Sequence, residues 1–180
     1  MKITLLGKAR GWMQAGRHNC LPGEVWGLNV HCLMRPYDKI FEIHDRANTG
    51  ASHTPKEILE IIETVNRRNI PFITLDPKEW PEIPSAVAFP LKEMPYLYFT
   101  SSFDYMIAYA IWYGATEIQM FGCKVIAGGS HEFARPNIEF WLGYAIAKGI
   151  KITIHPPSDL LKLRNDKLYG YNIFPEQLPL

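Results

Sequence analysis

The chain has 180 residues, with 19 Lys and Arg against 18 Asp and Glu and a formal charge of +1, enough for one domain that hides about 70% of its unfolded surface. With 47% hydrophobic and 21% charged residues it lies near the globular average, which excludes disorder and fibrous repeats. Its near-neutrality excludes a protein built to blanket nucleic acid, and no run approaches the roughly 18 apolar residues of a membrane-spanning helix.

Strands and helices alternate from the start. Lys2 to Leu6 (K-I-T-L-L) stops at Gly7 and reads as a buried strand. Glu24 to Asn29 and Lys39 to His44 (K-I-F-E-I-H) are the next two strands. Thr54-Pro55-Lys56-Glu57 has the residues of a capped helix start: a threonine N-cap, proline at the first helical position and a glutamate closing the box. Ile58, Ile61, Ile62 and Val65 then repeat at helical spacing, the pattern of an amphipathic helix laid on a sheet. Pro71 to Leu75 follows as a strand, and the stretch from Pro71 to Pro95 carries six of the chain's 14 prolines, so it reads as a structured crossing loop.

Tyr96 to Thr100 (Y-L-Y-F-T) is expected to be another strand, followed by a helix from Ser101 to about Tyr113. Thr116 to Phe121 is a strand ending at Gly122, a helix runs from about Pro136 to Lys148, and Lys151 to His155 forms the last strand. Ser158 to Leu161 reads as a short capped helix. Strands separated by helices make βαβ units, so the expected fold is α/β: one doubly wound, mostly parallel sheet with helices on both faces. The helices Phe103–Tyr113 and Ile138–Ala147 are apolar nearly all round. A helix of that kind is buried on every side, and in a domain this small a subunit interface would bury one of those faces, so a homo-oligomer is expected.

Cys20, Cys32 and Cys123 are odd in number and widely spaced. They read as reduced thiols of a cytoplasmic protein, and nothing ahead of Lys2 has the pattern of a secretion signal. None of the six histidines forms an H-x-x-x-H pair, so neither a metal site nor a cofactor is expected.

In an open parallel sheet, ligands bind beyond the carboxyl ends of the strands. The residues that follow each strand are therefore the functional candidates. Gly7, Lys8, Arg10 and Gly11 put two glycines and two cations after the first strand, a turn that suits close approach of a phosphate and equally a plain tight turn. Thr100, Ser101 and Ser102 stand at a helix start, where free N–H groups and hydroxyls favour an anion or ribose. Ser101 and Asp104 also fit a capping box that needs no ligand. Asn29 offers an amide for a base or sugar edge, and His44 with Asp45 could be a general base with its orienting carboxylate. The loop from Cys123 to Arg135 carries Gly128-Gly129 as a hinge and then His131, Glu132 and Arg135, the composition of an active-site lid or of an ordinary solvated loop.

The segment Thr100 to Gly122 (T-S-S-F-D-Y-M-I-A-Y-A-I-W-Y-G-A-T-E-I-Q-M-F-G) resembles the T-S-G…A-x-A…G-x-x-E-I-x-L-x-G segment of small bacterial sialyltransferases. A similar segment occurs in the Rossmann-like family that includes a pterin pyrophosphokinase. The order F-E-I-H-D, the T-S-S helix, then R-P-N-I-E-F-W-L-G-Y-A-I-A-K-G-I also looks like that of small proteins of tailed phages. The resemblance implies one Rossmann-like nucleotide-binding domain over residues 1–180. It further implies a nucleotide, most simply a pyrimidine nucleotide, held by Gly7, Asn29, Thr100, Ser101 and Ser102. The sialyltransferase turn reads G-x-G-P-S where this chain has G-K-A-R-G-W, and Ser102 replaces a glycine. No lid tyrosine or base histidine of that family can be placed here, although His131 lies in the corresponding loop. Three functions follow as alternatives: a glycosyltransferase-like enzyme using a nucleotide-activated donor, a non-catalytic protein that binds or sequesters a nucleotide-derived ligand, or an interaction protein whose rim binds nothing. In the first, Lys8, Arg10, Ser101 and Ser102 hold phosphate, and His44, His131 or Glu132 does the acid–base work.

Overall fold

The computed structural model describes residues 1–125, 133–162, 166–168 and 173–177. Its strands are β1 (Lys2–Leu6), β2 (Glu24–Leu28), β3 (Lys39–Phe41), β4 (Phe72–Thr74), β5 (Ala86–Ala88), β6 (Glu117–Phe121) and β7 (Lys151–Ile154). Its α-helices are α1 (Arg46–Ser52), α2 (Pro55–Arg68), α3 (Ser102–Trp112) and α4 (Ala134–Ala147). The seven strands form one sheet in the order β5-β4-β3-β2-β1-β6-β7, and every pair is parallel.

Both faces of the sheet are covered, as a parallel sheet requires. Ile3, Leu5, Trp26, Leu28 and Phe41 face the layer that holds α3 and α4, while Leu6, Val25, Ile40 and Phe72 face α2. Neighbouring residues therefore serve opposite layers, the period-two geometry of a strand. Thr4 and Gln119 are paired across β1 and β6, and their side chains satisfy one another in the interior at 2.6 Å. The α2 start behaves as its sequence indicates: Thr54 and Glu57 make the reciprocal capping box, Pro55 occupies the first turn, and Ile58, Ile61, Ile62 and Val65 are buried. The fold class read from the sequence, a doubly wound α/β sheet, is the one observed.

Much of the apolar circumference of α3 is covered within one chain. Tyr109 packs edge-on to Trp26 and Phe41 of the sheet at 5.5 and 5.3 Å, and Tyr105 meets Phe89 and Phe99 at 5.1 and 4.1 Å. Helix α4 closes another side. Trp112 of α3 and Ile146 of α4 remain exposed. No described helix is long and apolar enough to cross a membrane.

Three local expectations are corrected. Tyr96 to Thr100 is not a strand but an irregular strap across α3 and α4. Phe99 lies flat against Trp141 at 5.4 Å, and the Tyr98 carbonyl accepts from the Trp141 indole at 2.9 Å. The alternating aromatics of this segment serve the helix layer, and the outer strand is instead β5, beside β4. Ser158 to Leu161 forms no helix: Leu161 has φ +52°, and the Ser158 hydroxyl accepts from the Leu160 N–H in a local turn. The third strand ends at Phe41 rather than His44, and Asp45 caps the short helix α1 by accepting from the Asn48 N–H at 2.7 Å.

Candidate functional site

After β1 the chain lays β2, β3, β4 and β5 to one side of it, then crosses to place β6 and β7 on the other. The strand order reverses at this switch, where the carboxyl ends of β1 and β6 border a crevice. A cavity of about 370 Å³ lies there, within the range that small-molecule sites occupy. Lys8 and Ala9 line it from the β1 side, residues 122–125 from the β6 side, and residues 101–103 from the start of α3. Leu28, Ala134 and Ile138 complete the wall.

Two glycines let the loops approach. A Cβ on Gly7 would stand 2.4 Å from both the Gly122 carbonyl oxygen and the Phe103 ring. Gly122 has φ +67°, where only glycine is unstrained. The Gly7 N–H donates to the Phe121 carbonyl at 2.8 Å, and the Ala9 N–H to the Gly122 carbonyl at 3.1 Å. Gly7 thus spends its backbone on the floor of the crevice rather than on its lining.

At the start of α3 the Asp104 carboxyl accepts from the N–H groups of Thr100, Ser101 and Tyr105 at 2.8–3.1 Å. Asp104 is fully buried, and burial raises its pKa against the pull of those bonds. Ser101 and Asp104 stand in the arrangement of a capping box. Only the Asp104 half meets hydrogen-bond geometry, because the Ser101 Oγ is buried with no partner among the described residues. The first-turn N–H groups of Ser102, Phe103 and Asp104 have no intrahelical acceptor, as at any helix start. Thr100 stands behind them: its hydroxyl donates to Asp104 at 3.2 Å and accepts from Asn137 at 3.1 Å.

The crevice lining combines two cations with apolar side chains. Neither Lys8 nor Lys124 makes an ion pair among the described residues. Lys8 is exposed, yet its ammonium sits in a concave surround whose desolvation lowers its pKa, against a smaller opposing pull from Glu42. Leu28, Phe103, Val125 and Ile138 supply the apolar lining. Cys123 belongs with them: it is buried, its pKa is raised well above the ordinary thiol value by desolvation, and it donates weakly to the Phe121 carbonyl. A protonated thiol of this kind is wall rather than nucleophile.

Two strands along the rim, just past β3, His44 is held by Glu42. The ring Nδ1 lies 2.7 Å from the Glu42 Oε1, so Nδ1 carries the proton donated to the carboxyl and Nε2 is left as the basic nitrogen. Glu42 is buried, and its Oε2 has no partner among the described residues. The hydrogen bond to Glu42 is the largest cause raising the His44 pKa; burial and Lys8 oppose it, and Asp45 adds a smaller upward pull. The orienting carboxyl is therefore Glu42, two residues before the histidine, and not Asp45, which is committed to α1. The signal was present: in extended chain, residues two apart share a face.

Of the residues singled out in the sequence, the crevice brings together Lys8, Ser101 and Ser102, with Gly7 and Thr100 as its framework. Asn29 is buried and its Oδ1 accepts from the adjacent Val30 N–H at 2.8 Å, so it shapes the turn after β2 without lining the cavity. Arg10 is exposed in a 3-10 turn over Arg10–Ala15. Arg135 lies in the first turn of α4 and pairs with Glu139 at 2.9 Å. His131 and Glu132 lie outside the described residues. Among the described residues no group of His, Cys, Asp and Glu is arranged to hold a metal ion.

No family model matches the chain, and no curated protein matches it. Among solved structures it is similar to a point mutant of the alpha-2,3/8-sialyltransferase CstII, with 13% sequence identity over 89% of this chain and 83% of that one and a TM-score of 0.37. A likeness that slight transfers no residue roles, and the function is argued from the crevice itself.

Proposed function

We propose that the crevice between β1 and β6 binds a nucleotide or nucleotide-sugar, and that the chain transfers the activated group in the manner of a glycosyltransferase. The observation that carries this reading is the crevice's position and lining: a cavity at the switch point lined by two lysines with no ion pair among the described residues and by apolar side chains. That mixed lining suits a ligand that joins a phosphate to a flat heterocycle. Lys8, with the first-turn N–H groups of α3, takes the phosphate. Ser102 supplies a hydroxyl, and Leu28, Phe103 and Ile138 take the base.

Transfer would run as a displacement. An acceptor hydroxyl attacks the anomeric carbon, the bond from that carbon to the phosphate oxygen breaks, and the nucleotide leaves with the electron pair beside Lys8. The base that takes the hydroxyl proton on this reading is His44 Nε2, which lies along the rim outside the crevice lining and is met by an acceptor that reaches past the crevice, while Glu42 steadies the imidazolium that results. One observation favours a second reading, a protein that binds the nucleotide without turning it over: no carboxyl or imidazole is among the described residues lining the crevice.

Substituting Lys8→Gln tests the site. Lys8 is exposed, so the fold survives, and loss of one charge-assisted phosphate contact lowers nucleotide affinity by about 10- to 100-fold, read by calorimetric titration. Unchanged affinity would place the phosphate elsewhere. His44→Gln separates the two functions: with nucleotide binding retained, it slows turnover of an activated donor by roughly 100-fold or more if His44 is the base. A wild-type protein that binds without turnover is the binding protein.

A further inference from the structure

Helix α4 faces the crevice on one side and solvent on the other. Its inner face, Ala134, Ile138, Trp141, Leu142 and Ala145, is buried, and Ala134 and Ile138 line the cavity. The outer face of a helix in a globular domain is ordinarily polar and charged. Here it reads Pro136, Phe140, Gly143, Tyr144 and Ala147, without a charge over three turns. Pro136, Gly143 and Ala147 are exposed, and Phe140 and Tyr144 are half-buried. The charged residues of the helix, Arg135 and Glu139, pair with each other on its flank at 2.9 Å. Lys148, just past the helix, lies 5.0 Å from the Tyr144 ring and marks the edge of the surface. The strap continues it. Tyr96 and Tyr98 stack on one another, meet Phe140 edge-on at 5.2 and 4.9 Å, and remain 42% and 52% exposed. Leu97 between them is 66% exposed.

Gly143 has no steric role within the chain. A Cβ there would meet nothing within 4 Å, and glycine inside a helix is less stable than alanine. What a missing side chain provides is close approach of another backbone. The face is also its own complement. An antiparallel copy of α4 centred between Gly143 and Tyr144 sets Phe140 of one copy against Ala147 of the other, and the reverse. Large then meets small on both sides of the two-fold axis, as an isologous contact requires, and the two Gly143 residues meet beside the axis. The face and the strap expose roughly 500 Å² per chain, so two copies would bury on the order of 1,000 Å², the lower end of a specific interface.

We propose that the outer face of α4, with the strap from Tyr96 to Tyr98, is the surface through which two copies of this chain form a two-fold dimer, with Gly143 at the axis. The inference stands apart from the nucleotide reading, since it uses the side of α4 turned away from the crevice.

Sedimentation velocity of the full chain from about 1 to 300 μM tests it, because an interface of this size holds in the micromolar range. The inference expects a species of twice the 20.7 kDa chain mass that dissociates on dilution. Gly143→Glu brings two carboxylates together at the axis and weakens the dimer by about 100-fold or more, and Gly143→Lys does the same with two ammonium groups. Both side chains have room in the single chain, so circular dichroism and melting remain those of a folded protein. Mixing the two variants sets opposite charges at the axis and restores a species of twice the chain mass that neither forms alone. Should either variant fail to fold, Ala147→Glu, which sets a charge against Phe140 of the other copy, carries the same expectation of a monomer. A wild-type monomer at every concentration, as when the chain's own tail or another protein covers the face, overturns the proposal. So does a dimer that Gly143→Glu leaves intact, or a mixture of the two variants that stays monomeric.

Discussion

Replacing Gly122 with alanine is expected to destabilise the protein by about 2–5 kcal/mol, the sum of roughly 1–2 kcal/mol for a left-handed backbone and roughly 1–3 kcal/mol for a side chain with no room. The residue has φ +67°, and the added Cβ would stand 2.7 Å from the Ala9 carbonyl, 2.8 Å from the Gly7 carbonyl and 2.9 Å from the Trp12 Cβ. Two of these neighbours are backbone, so relief means pushing apart the loops that floor the crevice. For a chain of this length the loss corresponds to a melting temperature lower by about 5–15 °C, and ligand affinity falls with it. Gly114→Ala is the internal control. Gly114 has φ +91°, but its Cβ would meet nothing within 4 Å, so it bears the backbone cost alone. Equal shifts for the two variants would mean that the close approach at Gly122 contributes nothing.

Glu42→Gln is expected to lower the His44 pKa, because the hydrogen bond to Glu42 is the largest influence raising it, while burial and Lys8 continue to depress it. The amide oxygen can still accept from Nδ1, so the ring stays in place and only the charge is lost. The sign for stability follows from the raised value. The interaction favours the imidazolium, so its contribution is complete below the ordinary imidazole pKa and disappears as pH rises through the raised one. Glu42→Gln therefore narrows the difference between wild type and variant as pH increases across that window. Transfer, if it occurs, switches on as His44 loses its proton, and in Glu42→Gln that limb moves to lower pH while the plateau rate falls. The His44 ring signal followed through a pH titration gives the answer without turnover, and an unmoved titration contradicts the role given to Glu42.

Most of the fold was legible because the sheet is parallel and buried: K-I-T-L-L and E-I-Q-M-F can be little else, and T-P-K-E marks a helix start unambiguously. Tyr96 to Thr100 misled because aromatics in alternation look alike whether they pair in a sheet or pack on helices, and the contact with Trp141, distant in sequence, decides between the two. Lys8, Ser101 and Ser102 could be read because the rule of strand carboxyl ends needs only the order of elements. Leu28, Phe103 and Ile138 could not, since nothing local tells which side chains a crossover brings together. Glu42 was hidden by the proximity of Asp45 to His44. A side chain next in sequence points away in extended chain, whereas the one two residues back shares the face. The two apolar helices pointed to buried surroundings, and the strap from Met94 to Phe99 that covers part of α3 and α4 is what the sequence did not reveal.

The central claim is that the β1–β6 crevice holds a phosphate-bearing nucleotide. A thermal-shift comparison of wild type and Lys8→Gln against nucleosides, nucleoside mono- and diphosphates and nucleotide-sugars tests it most directly. A ligand at about 100 times its dissociation constant stabilises by roughly 2.7 kcal/mol, on the order of 5–10 °C for a chain of this size. The account predicts a shift of that size for one family of nucleotides, little for the matching nucleoside, and a much smaller shift in Lys8→Gln. A flat response from folded protein, or a shift as large for the nucleoside and untouched by the Lys8 substitution, would contradict it.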